Sequence, residues 1–551
     1  MSIKKLSAVF SVLALSTSLV AVAQSNSGNK LFSAATYTKY VKELSADDLQ
    51  GRMPFSAGET KTIAYLEQQF KALGLQPGNK GSYVQEVPMV AISCNPNPSM
   101  TLGQQDRVPN ADYQLQGLRD YVLWTRRTES NIDVKGELIF AGFGITAPEY
   151  NHDDYAGLDV KDKIVVVLVN DPGYYDAKQF KGKAMTYYGR WTYKYDEAAR
   201  HGAKGCLIIH DTGPAAYGFG VVQNSWKATK LYLDNRGHET YKCAIEGWLS
   251  MDAAKLVFGG ERAYKAMLES ALQPGFKAKP LSLTLNTSLA VTATYKKSHN
   301  VIATIPGSKK PDECIIYSAH WDHLGIGKPN AKGDTIYNGA VDNASGTAAL
   351  LELARVFKRS KNKPARSIVF LSVTAEEQGL WGSAWYAENP VFAKEKTVAD
   401  INMDMFYPYG KTKDIGLIGF GQSELEDYLK EVAKGQGRYI APESDPSKGM
   451  YFRSDHFNFA KIGIPALYTE SGIDLVGKGK AAGTQLHDDF TAKTYHKPSD
   501  EYNATTWDVS GTIQDLQLLY AVGYKLAYST TLWPKWKAGS EFKAIRDKYR
   551  K

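Results

Sequence analysis

The chain has 551 residues, of which 43% are hydrophobic and 23% are charged, and its formal net charge is +8. This composition excludes a mostly disordered chain, a collagen and a disulfide-dense miniprotein, and the length predicts several domains. A charge of +8 spread over so long a chain is a weak bias, and it does not point to nucleic acid as a partner.

The first 23 residues have the pattern of a secretory signal peptide. Lys4 and Lys5 form a basic start, an apolar run covers 6–22, and residues 21–23 (AVA) form a small-x-small cleavage site. The alternative is a transmembrane anchor, but this apolar run is shorter than the ~20 residues that a spanning helix needs. We therefore expect an exported bacterial protein, periplasmic or extracellular, without a membrane span.

Residues 24–119 are predicted to be the N-terminal part of the main domain. Within them, residues 57–75 carry Leu66 and Phe70 at helical spacing, and Gly74 suits the end of this helix. A strand-like run follows around residues 84–92.

Residues 120–285 are predicted to be a separate, β-rich insert. Three apolar runs read as strands, at 136–144, 163–169 and 203–210, and residues 197–202 read as part of a short helix. The segment has no dense cluster of histidines and carboxylates, so we place the chemistry elsewhere.

Residues 286–551 alternate between strand-like and helix-like runs. This alternation predicts an α/β domain whose mainly parallel, mixed sheet has helices on both faces. The predicted strands are 300–306, 313–320, 367–374, 398–405 and 464–470, and the predicted helices are 345–359, 381–388, 424–435 and 507–528.

Four cysteines remain after the leader: Cys94, Cys206, Cys243 and Cys314. Two disulfides would allow three pairings. We favour Cys206–Cys243 because both residues lie in one predicted domain, and four buried thiols are the alternative. No CxxC spacing suggests a cysteine zinc site or a redox centre.

Histidines and carboxylates stand at the predicted carboxyl ends of the strands, where α/β sheets form their sites. They are His320, Asp322, Glu376, Glu377 and Asp404, joined by Asp342 before a helix and by His496 in a loop. Two histidines, a carboxylate able to bridge and one further carboxylate per ion make two N/O sites that suit zinc. Singly, these residues have ordinary explanations: Asp342 as a helix N-cap, His496 as a surface residue, and the paired glutamates as solvated surface.

The spacing within two pairs of these residues suggests a role for each member of the pair. Glu376 and Glu377 point in different directions because they are neighbours, so one can bind metal while the other serves as a general base. His320 and Asp322 are two residues apart and face the same side of a strand, so Asp322 could hold the second imidazole nitrogen of His320.

The chain resembles the secreted dizinc aminopeptidases of peptidase family M28. The motifs that carry this resemblance are AHWDHLG (319–325), NGAVDNASG (338–346), TAEEQGLWGS (374–383), NMDM (402–405), YFRSDH (451–456) and YHKPSDE (495–501). The resemblance implies the zinc-exopeptidase, phosphorylase/hydrolase-like fold. Residues 142–173 look like the protease-associated (PA) insert of one branch of the family.

Carried over motif by motif, the resemblance implies a role for each residue. His320 and Asp404 would bind one zinc ion, Glu377 and His496 a second, and Asp342 would bridge them. Glu376 would be the general base, Asp322 would orient His320, and Tyr451 would donate a hydrogen bond to the developing oxyanion.

The implied function is an exported metallo-aminopeptidase with peptide substrates, two zinc ions and no nucleic-acid partner. Alternatives within the same fold are a dipeptidase or carboxypeptidase, for which Arg453 is a thin candidate carboxylate anchor, a single-zinc glutaminyl cyclase, and a receptor-like member without metals. The complete set of five ligands and Glu376 argues against the last two.

Overall fold

The structure is a computed structural model that describes residues 28–104, 112–237 and 240–550. The signal-peptide prediction therefore lies outside the described residues. The helices in chain order are α1 (Ala34–Leu44), α2 (Ala57–Ala72), α3 (Trp191–Arg200), α4 (Thr212–Ala215), α5 (Phe219–Ser225), α6 (Met251–Val257), α7 (Glu261–Ala271), α8 (Ser345–Arg359), α9 (Trp381–Glu388), α10 (Leu425–Gly435), α11 (His456–Lys461), α12 (Gly479–Lys493), α13 (Ser510–Ala527) and α14 (Lys543–Asp547).

The strands are shorter and more numerous. In chain order they are β1 (Gln76–Pro77), β2 (Val84–Pro96), β3 (Ser99–Gln104), β4 (Tyr113–Gln116), β5 (Tyr121–Trp124), β6 (Asn131–Phe140), β7 (Thr146–Ala147), β8 (His152–Asp153), β9 (Ile164–Leu168), β10 (Gly205–Ile209), β11 (Lys230–Leu233), β12 (Ile245–Leu249), β13 (Lys279–Ile305), β14 (Lys310–His320), β15 (Gly325–Ile326), β16 (Ile336–Tyr337), β17 (Arg366–Val373), β18 (Thr397–Asn402), β19 (Asp414–Ile418), β20 (Tyr439–Pro442) and β21 (Ala466–Ser471).

The chain divides into two units. Within the described residues, the first contains 28–87 together with 297–443 and 453–550, and the second contains those of 88–296 and 444–452. The sequence places the insert at 120–285, so the two sets of bounds differ at both ends. The reason is that β2 and β13 each contribute residues to both units, and no change of composition marks the boundary inside a strand.

The sheet of the first unit has the strand order β1-β13-β17-β14-β18-β21-β19-β20. Strands β17, β14, β18 and β21 are parallel to one another, and β13 and β19 flank them in the antiparallel sense. Every residue of β17 and β18 is buried, as expected for strands covered on both faces. The predicted mainly parallel, mixed α/β sheet is confirmed.

Alternate residues of the central strands face two separate hydrophobic cores. Ile315 and Tyr317 pack in the core that includes α1, α8 and α13, whereas Cys314 and Ile316 pack in the core that includes Tyr386 of α9 and residues of α11. This period of two places helices on both faces of the sheet. It also leaves the carboxyl ends of the strands as the free edge where polar residues can gather.

The second unit is also built around parallel strands. Its strand order is β5-β12-β10-β9-β6-β13-β3-β4, in which β12, β10, β9 and β6 run parallel. Helices α3 to α7 belong to this unit. It is therefore an α/β unit with antiparallel flanks, rather than a purely β-rich insert.

All four cysteines are free thiols in the structure, so the predicted Cys206–Cys243 disulfide is wrong. The thiol of Cys206 donates to the carbonyl oxygen of Lys194 (3.8 Å), and that of Cys243 donates to the carbonyl oxygen of Ala203 (3.3 Å).

Among the described residues, the helices are all too short or too polar to traverse a bilayer.

Lys194 of α3 carries an ammonium group into the core of the second unit. The side chain is fully buried, and its Nζ donates to the carbonyl oxygen of Asn170 (2.9 Å). Burial lowers the pKa of Lys194 to about 7, although the carboxylate of Asp171 opposes this shift. The folded chain thus loses this proton at a lower pH than the unfolded chain does.

We expect Lys194 to contribute an increasing stabilisation of the folded state as the pH rises from 7 to 10. In that window the unfolded state binds the lysine proton and the folded state does not, so the free energy of unfolding gains up to about 1.4 kcal/mol per pH unit from this group. The free energy of unfolding should be measured by urea denaturation at pH 7, 8 and 9. It should rise less steeply with pH for Lys194→Met than for the wild type. The exposed Lys178→Met serves as the control, and equal slopes for all three proteins would contradict the assignment.

Candidate metal centre

Four side chains converge at the carboxyl edge of the first unit's sheet. His320 is the last residue of β14, Glu376 and Glu377 follow β17, and Asp404 lies two residues beyond β18. These strands are adjacent and parallel, so their ends meet at one place.

Two further ligand candidates reach the same place from loops. Asp342 lies in the turn Ala340–Ala344 before α8, and its peptide bond to Asn343 is cis. His496 follows α12 and has a left-handed backbone conformation (φ 55°). The ring of Tyr495 stacks on the imidazole of His496, with the ring centroids 3.8 Å apart.

The two carboxylate oxygens of Asp342 face two different histidines. Oδ1 lies 3.4 Å from Nε2 of His320, and Oδ2 lies 3.1 Å from Nε2 of His496. Each histidine has a second carboxylate partner: Asp404 Oδ1 at 3.3 Å from His320, and Glu377 Oε2 at 3.1 Å from His496. Asp342 therefore stands between two histidine–carboxylate pairs.

These spacings fit ligands that share a metal ion. Zinc binds histidine nitrogen and carboxylate oxygen at about 2.0–2.2 Å, so two ligands of a tetrahedral ion lie about 3.3–3.6 Å apart. The four distances around Asp342, 3.1 to 3.4 Å, are close to this value. Imidazole and carboxylate are also the donors that zinc accepts, so these residues fit a pair of zinc ions.

Glu376 lies at the edge of this set. Its Oε2 is 3.9 Å from Nε2 of His320, farther than the paired ligands are. Its backbone N–H donates to Oδ1 of Asp322 (3.1 Å), and the preceding Ala375 has φ 53°. This left-handed residue lies between the end of β17 and the two glutamates.

The carboxylates of the cluster raise the pKa values of its two histidines. Burial alone would lower the pKa of His320, but Glu376 and Asp404 outweigh it and hold this pKa well above the usual value. In the same way Glu377 and Asp342 raise the pKa of His496 to about 10. The carboxylates thus favour positive charge at this place, whether protonated histidines or bound cations carry it.

The carboxyl group of Glu376 has the opposite tendency from that of Glu377. Burial, assisted by Asp404 and Glu377, raises the pKa of Glu376 well above its usual range, although His320 opposes this. Burial also opposes the ionisation of Glu377, yet His323 and His496 lower its pKa to about 2. Two adjacent carboxyl groups with separated pKa values can serve as a proton carrier and a ligand.

The second nitrogen of His320 is held by main chain. Nδ1 lies 3.1 Å from the carbonyl oxygen of Asp322, whereas the Asp322 carboxylate is 3.7 Å away. The carboxylate instead accepts the N–H of Glu376 (3.1 Å). Asp322 therefore orients His320 through its backbone and fixes the loop of Glu376 through its side chain, which differs from the predicted carboxylate contact.

Other polar groups fix the ligands from outside. Ser454 donates to Oδ2 of Asp404 (2.7 Å), and Asp500 accepts hydrogen bonds from the backbone N–H groups of Val341 and Asp342 (3.0 Å each).

Tyr451 lies in the short turn Met450–Phe452, which belongs to the second unit.

His323 is a further contact of the centre, to which the sequence assigns a place in a site motif but no role. Its imidazole is fully buried, and Nδ1 lies 2.6 Å from Oε1 of Glu377. This distance is a hydrogen bond and is too short for two ligands of one tetrahedral ion. His323 thus orients Glu377, and the available signal was its position three residues after His320 in the same motif.

The sheet and this cluster define an α/β protein with the histidine–carboxylate donor set of a zinc centre. Residues 300–521 match the model of peptidase family M28.

Similarity to named proteins is concentrated in short segments. The probable zinc metalloprotease of Pyricularia oryzae is 40% identical over 109 residues, which cover 20% of this chain and 21% of that protein. Aminopeptidase NAALADL1 of Mus musculus is 37% identical over 145 residues (25% and 18%), and the glutamate carboxypeptidase 2 homolog of Caenorhabditis elegans is 37% identical over 152 residues (26% and 17%). The chain thus spans about a fifth of the length of these relatives.

Among solved structures, the aminopeptidase from Aneurinibacillus sp. strain AM-1 aligns with 91% of this chain and 95% of its own, at 21% identity and a TM-score of 0.48.

Proposed function

We propose that this protein is an exported aminopeptidase that removes N-terminal residues from peptides with two zinc ions and Glu376 as the general base. The observation that carries the proposal is the position of Asp342, whose two oxygens face His320 and His496, each of which also meets a carboxylate of its own. The family match and the names of the relatives agree with a zinc peptidase.

The residues of the chain divide the work of hydrolysis. His320, Asp404, Asp342, Glu377 and His496 would hold the zinc ions, which would supply the Lewis acidity for activating water and polarising a carbonyl group. Glu376 accepts a proton from the attacking water at its carboxylate and gives it to the nitrogen of the leaving amine.

Tyr451 completes this proposal as the donor to the developing oxyanion. Its support is its position three residues before Ser454, whose hydroxyl binds Asp404.

The test is hydrolysis of a panel of aminoacyl-p-nitroanilides by the purified chain without residues 1–23. We expect release of p-nitroaniline that stops with a chelator and returns when zinc is added back. A matched set of N-acetylated p-nitroanilides should not be cleaved, because an aminopeptidase requires a free N-terminus. Cleavage of N-blocked peptides with a free C-terminus would instead support the carboxypeptidase alternative, which the name of the Caenorhabditis elegans relative also suggests.

Export has a separate test. Expression of the full chain in a Gram-negative host should give a mature periplasmic or secreted protein whose N-terminus is Gln24. An uncleaved protein that stays with the membrane would favour the anchor.

A further inference from the structure

Arg52 is a buried cation whose hydrogen bonds, as the structure gives them, all go to main-chain carbonyl oxygens. Its side chain is almost completely buried in the first unit. The guanidinium donates to the carbonyl oxygens of Trp321 (Nε, 2.8 Å), Leu44 (Nη1, 2.6 Å), Asn338 (Nη1, 2.5 Å) and Gly339 (Nη2, 2.9 Å). A charge placed on four carbonyl groups requires the geometry of all four to be maintained.

Three of these carbonyls belong to the loops that carry the metal ligands. Trp321 directly follows His320, and Gly339 lies three residues before Asp342. On the far side of the same turn, Asp500 accepts the N–H groups of Val341 and Asp342. The turn of the bridging aspartate is thus bound at its carbonyls by Arg52 and at its amides by Asp500.

The segment that delivers Arg52 has an unusual backbone. Gln50, Gly51 and Arg52 all adopt left-handed conformations, with φ of 49°, 64° and 51°. A Cβ atom on Gly51 would lie 2.5 Å from the carbonyl oxygens of Gly325 and Tyr337. Such a run of left-handed residues is costly and persists only where surrounding contacts enforce it.

From these contacts we propose that Arg52 is a positioning residue of the metal centre, which fixes the main chain of the loops bearing His320 and Asp342. The inference rests on the proposed function only to the extent that these residues bind metal. Arg52 lies outside residues 300–521, which match the peptidase family. The N-terminal segment therefore supplies part of the support for the centre.

A role through geometry and a role through charge predict opposite effects on cation binding when Arg52 is replaced by a neutral residue. Burial lowers the pKa of Arg52 to about 10, although the carboxylates of Asp500, Asp322 and Asp342 oppose this shift and favour the protonated guanidinium. If Arg52 acted by charge alone, a neutral replacement would bind cations more tightly because a repulsive positive charge is gone. If it acts by positioning, Arg52→Lys and Arg52→Gln both loosen the ligand loops, since a lysine cannot span four carbonyl groups.

The test measures zinc affinity of the full mature chain by competition with a chromophoric chelator, and the visible absorption spectrum of the cobalt-substituted protein. We expect Arg52→Lys and Arg52→Gln to bind zinc about 10- to 100-fold more weakly than the wild type, with an altered cobalt spectrum. Unchanged affinity in both variants, or tighter binding by Arg52→Gln, would overturn the proposal. Because no peptide is used, the result is independent of whether the protein is an aminopeptidase.

Arg366→Gln is the matched control for the loss of a buried arginine. Arg366 is equally buried and binds Glu313 and the carbonyl oxygens of Leu526 and Leu532, but it begins β17 and so lies at the edge of the sheet opposite to the ligands. This variant should lose thermal stability and keep its zinc affinity and cobalt spectrum. If Arg366→Gln also bound zinc more weakly, the effect of the Arg52 variants would be explained by general destabilisation of the fold.

A milder variant covers the case in which the Arg52 variants do not fold. Asn338→Ala removes the bonds from Nδ2 to the carbonyl oxygen of Ser45 (2.9 Å) and to Asp47 (2.8 Å), which join the same turn to the N-terminal segment. A folded Asn338→Ala protein should also bind zinc more weakly, and wild-type affinity in this variant would contradict the part of the proposal in which the N-terminal segment supports the centre.

Discussion

Glu376→Gln is expected to lower kcat for the hydrolysis of aminoacyl-p-nitroanilides by about 10²- to 10⁴-fold, the contribution of a general base. Glutamine has the same shape but carries no proton between water and the leaving amine. The zinc content should not change, because Glu376 lies 3.9 Å from His320 and outside the spacing of the paired ligands. Initial rates at saturating substrate and elemental analysis of the same preparation measure both quantities.

Glu377→Gln is the control for the neighbouring glutamate. Its carboxylate contacts His496 and His323, and the low pKa of Glu377 marks it as the ionised partner. We expect this variant to lose zinc as well as activity. Loss of zinc from Glu376→Gln, with retention in Glu377→Gln, would reverse the roles assigned to the two residues.

His496→Ala is expected to lower the zinc content from two ions to one per chain. Nε2 of His496 lies 3.1 Å from both Asp342 and Glu377, so its removal takes a nitrogen donor from one site and leaves the site of His320 intact. Loss of one ion's Lewis acidity, worth several kcal/mol, should lower kcat by about 10³-fold. Elemental analysis after gel filtration, at equal protein concentration, measures the stoichiometry.

His323→Ala is the matched comparison because it removes the other histidine that contacts Glu377. Its 2.6 Å contact is a hydrogen bond, so this variant should keep two zinc ions and bind them about 10- to 100-fold more weakly. One ion in His323→Ala and two in His496→Ala would show that the two histidines exchange roles.

The chemistry of the centre could be predicted because its residues follow strong local patterns. His320, Glu377 and Asp404 stand where apolar, strand-like runs end, and parallel strands bring such ends together. The alternation of strands and helices likewise predicted the sheet and the helices on its two faces. These features depend on periodicity, which the sequence displays directly.

The bounds of the two units and the pairing of the cysteines could not be derived in this way. Strands β2 and β13 supply residues to both units, so no linker composition marks the division. Cys206 and Cys243 share a unit, but each thiol donates to a carbonyl oxygen instead of forming a disulfide.

The sequence by itself therefore determined the α/β class, the carboxyl edge that bears the centre, and the donor types that suit zinc. Only the tertiary structure decided which groups hold those donors in place. Arg52 reaches carbonyl groups more than 260 positions away, and His323 contacts Glu377 across 54 positions. Such hydrogen bonds depend on left-handed turns and on the folded path of the main chain, and neither leaves a periodic signal in the residues that form them.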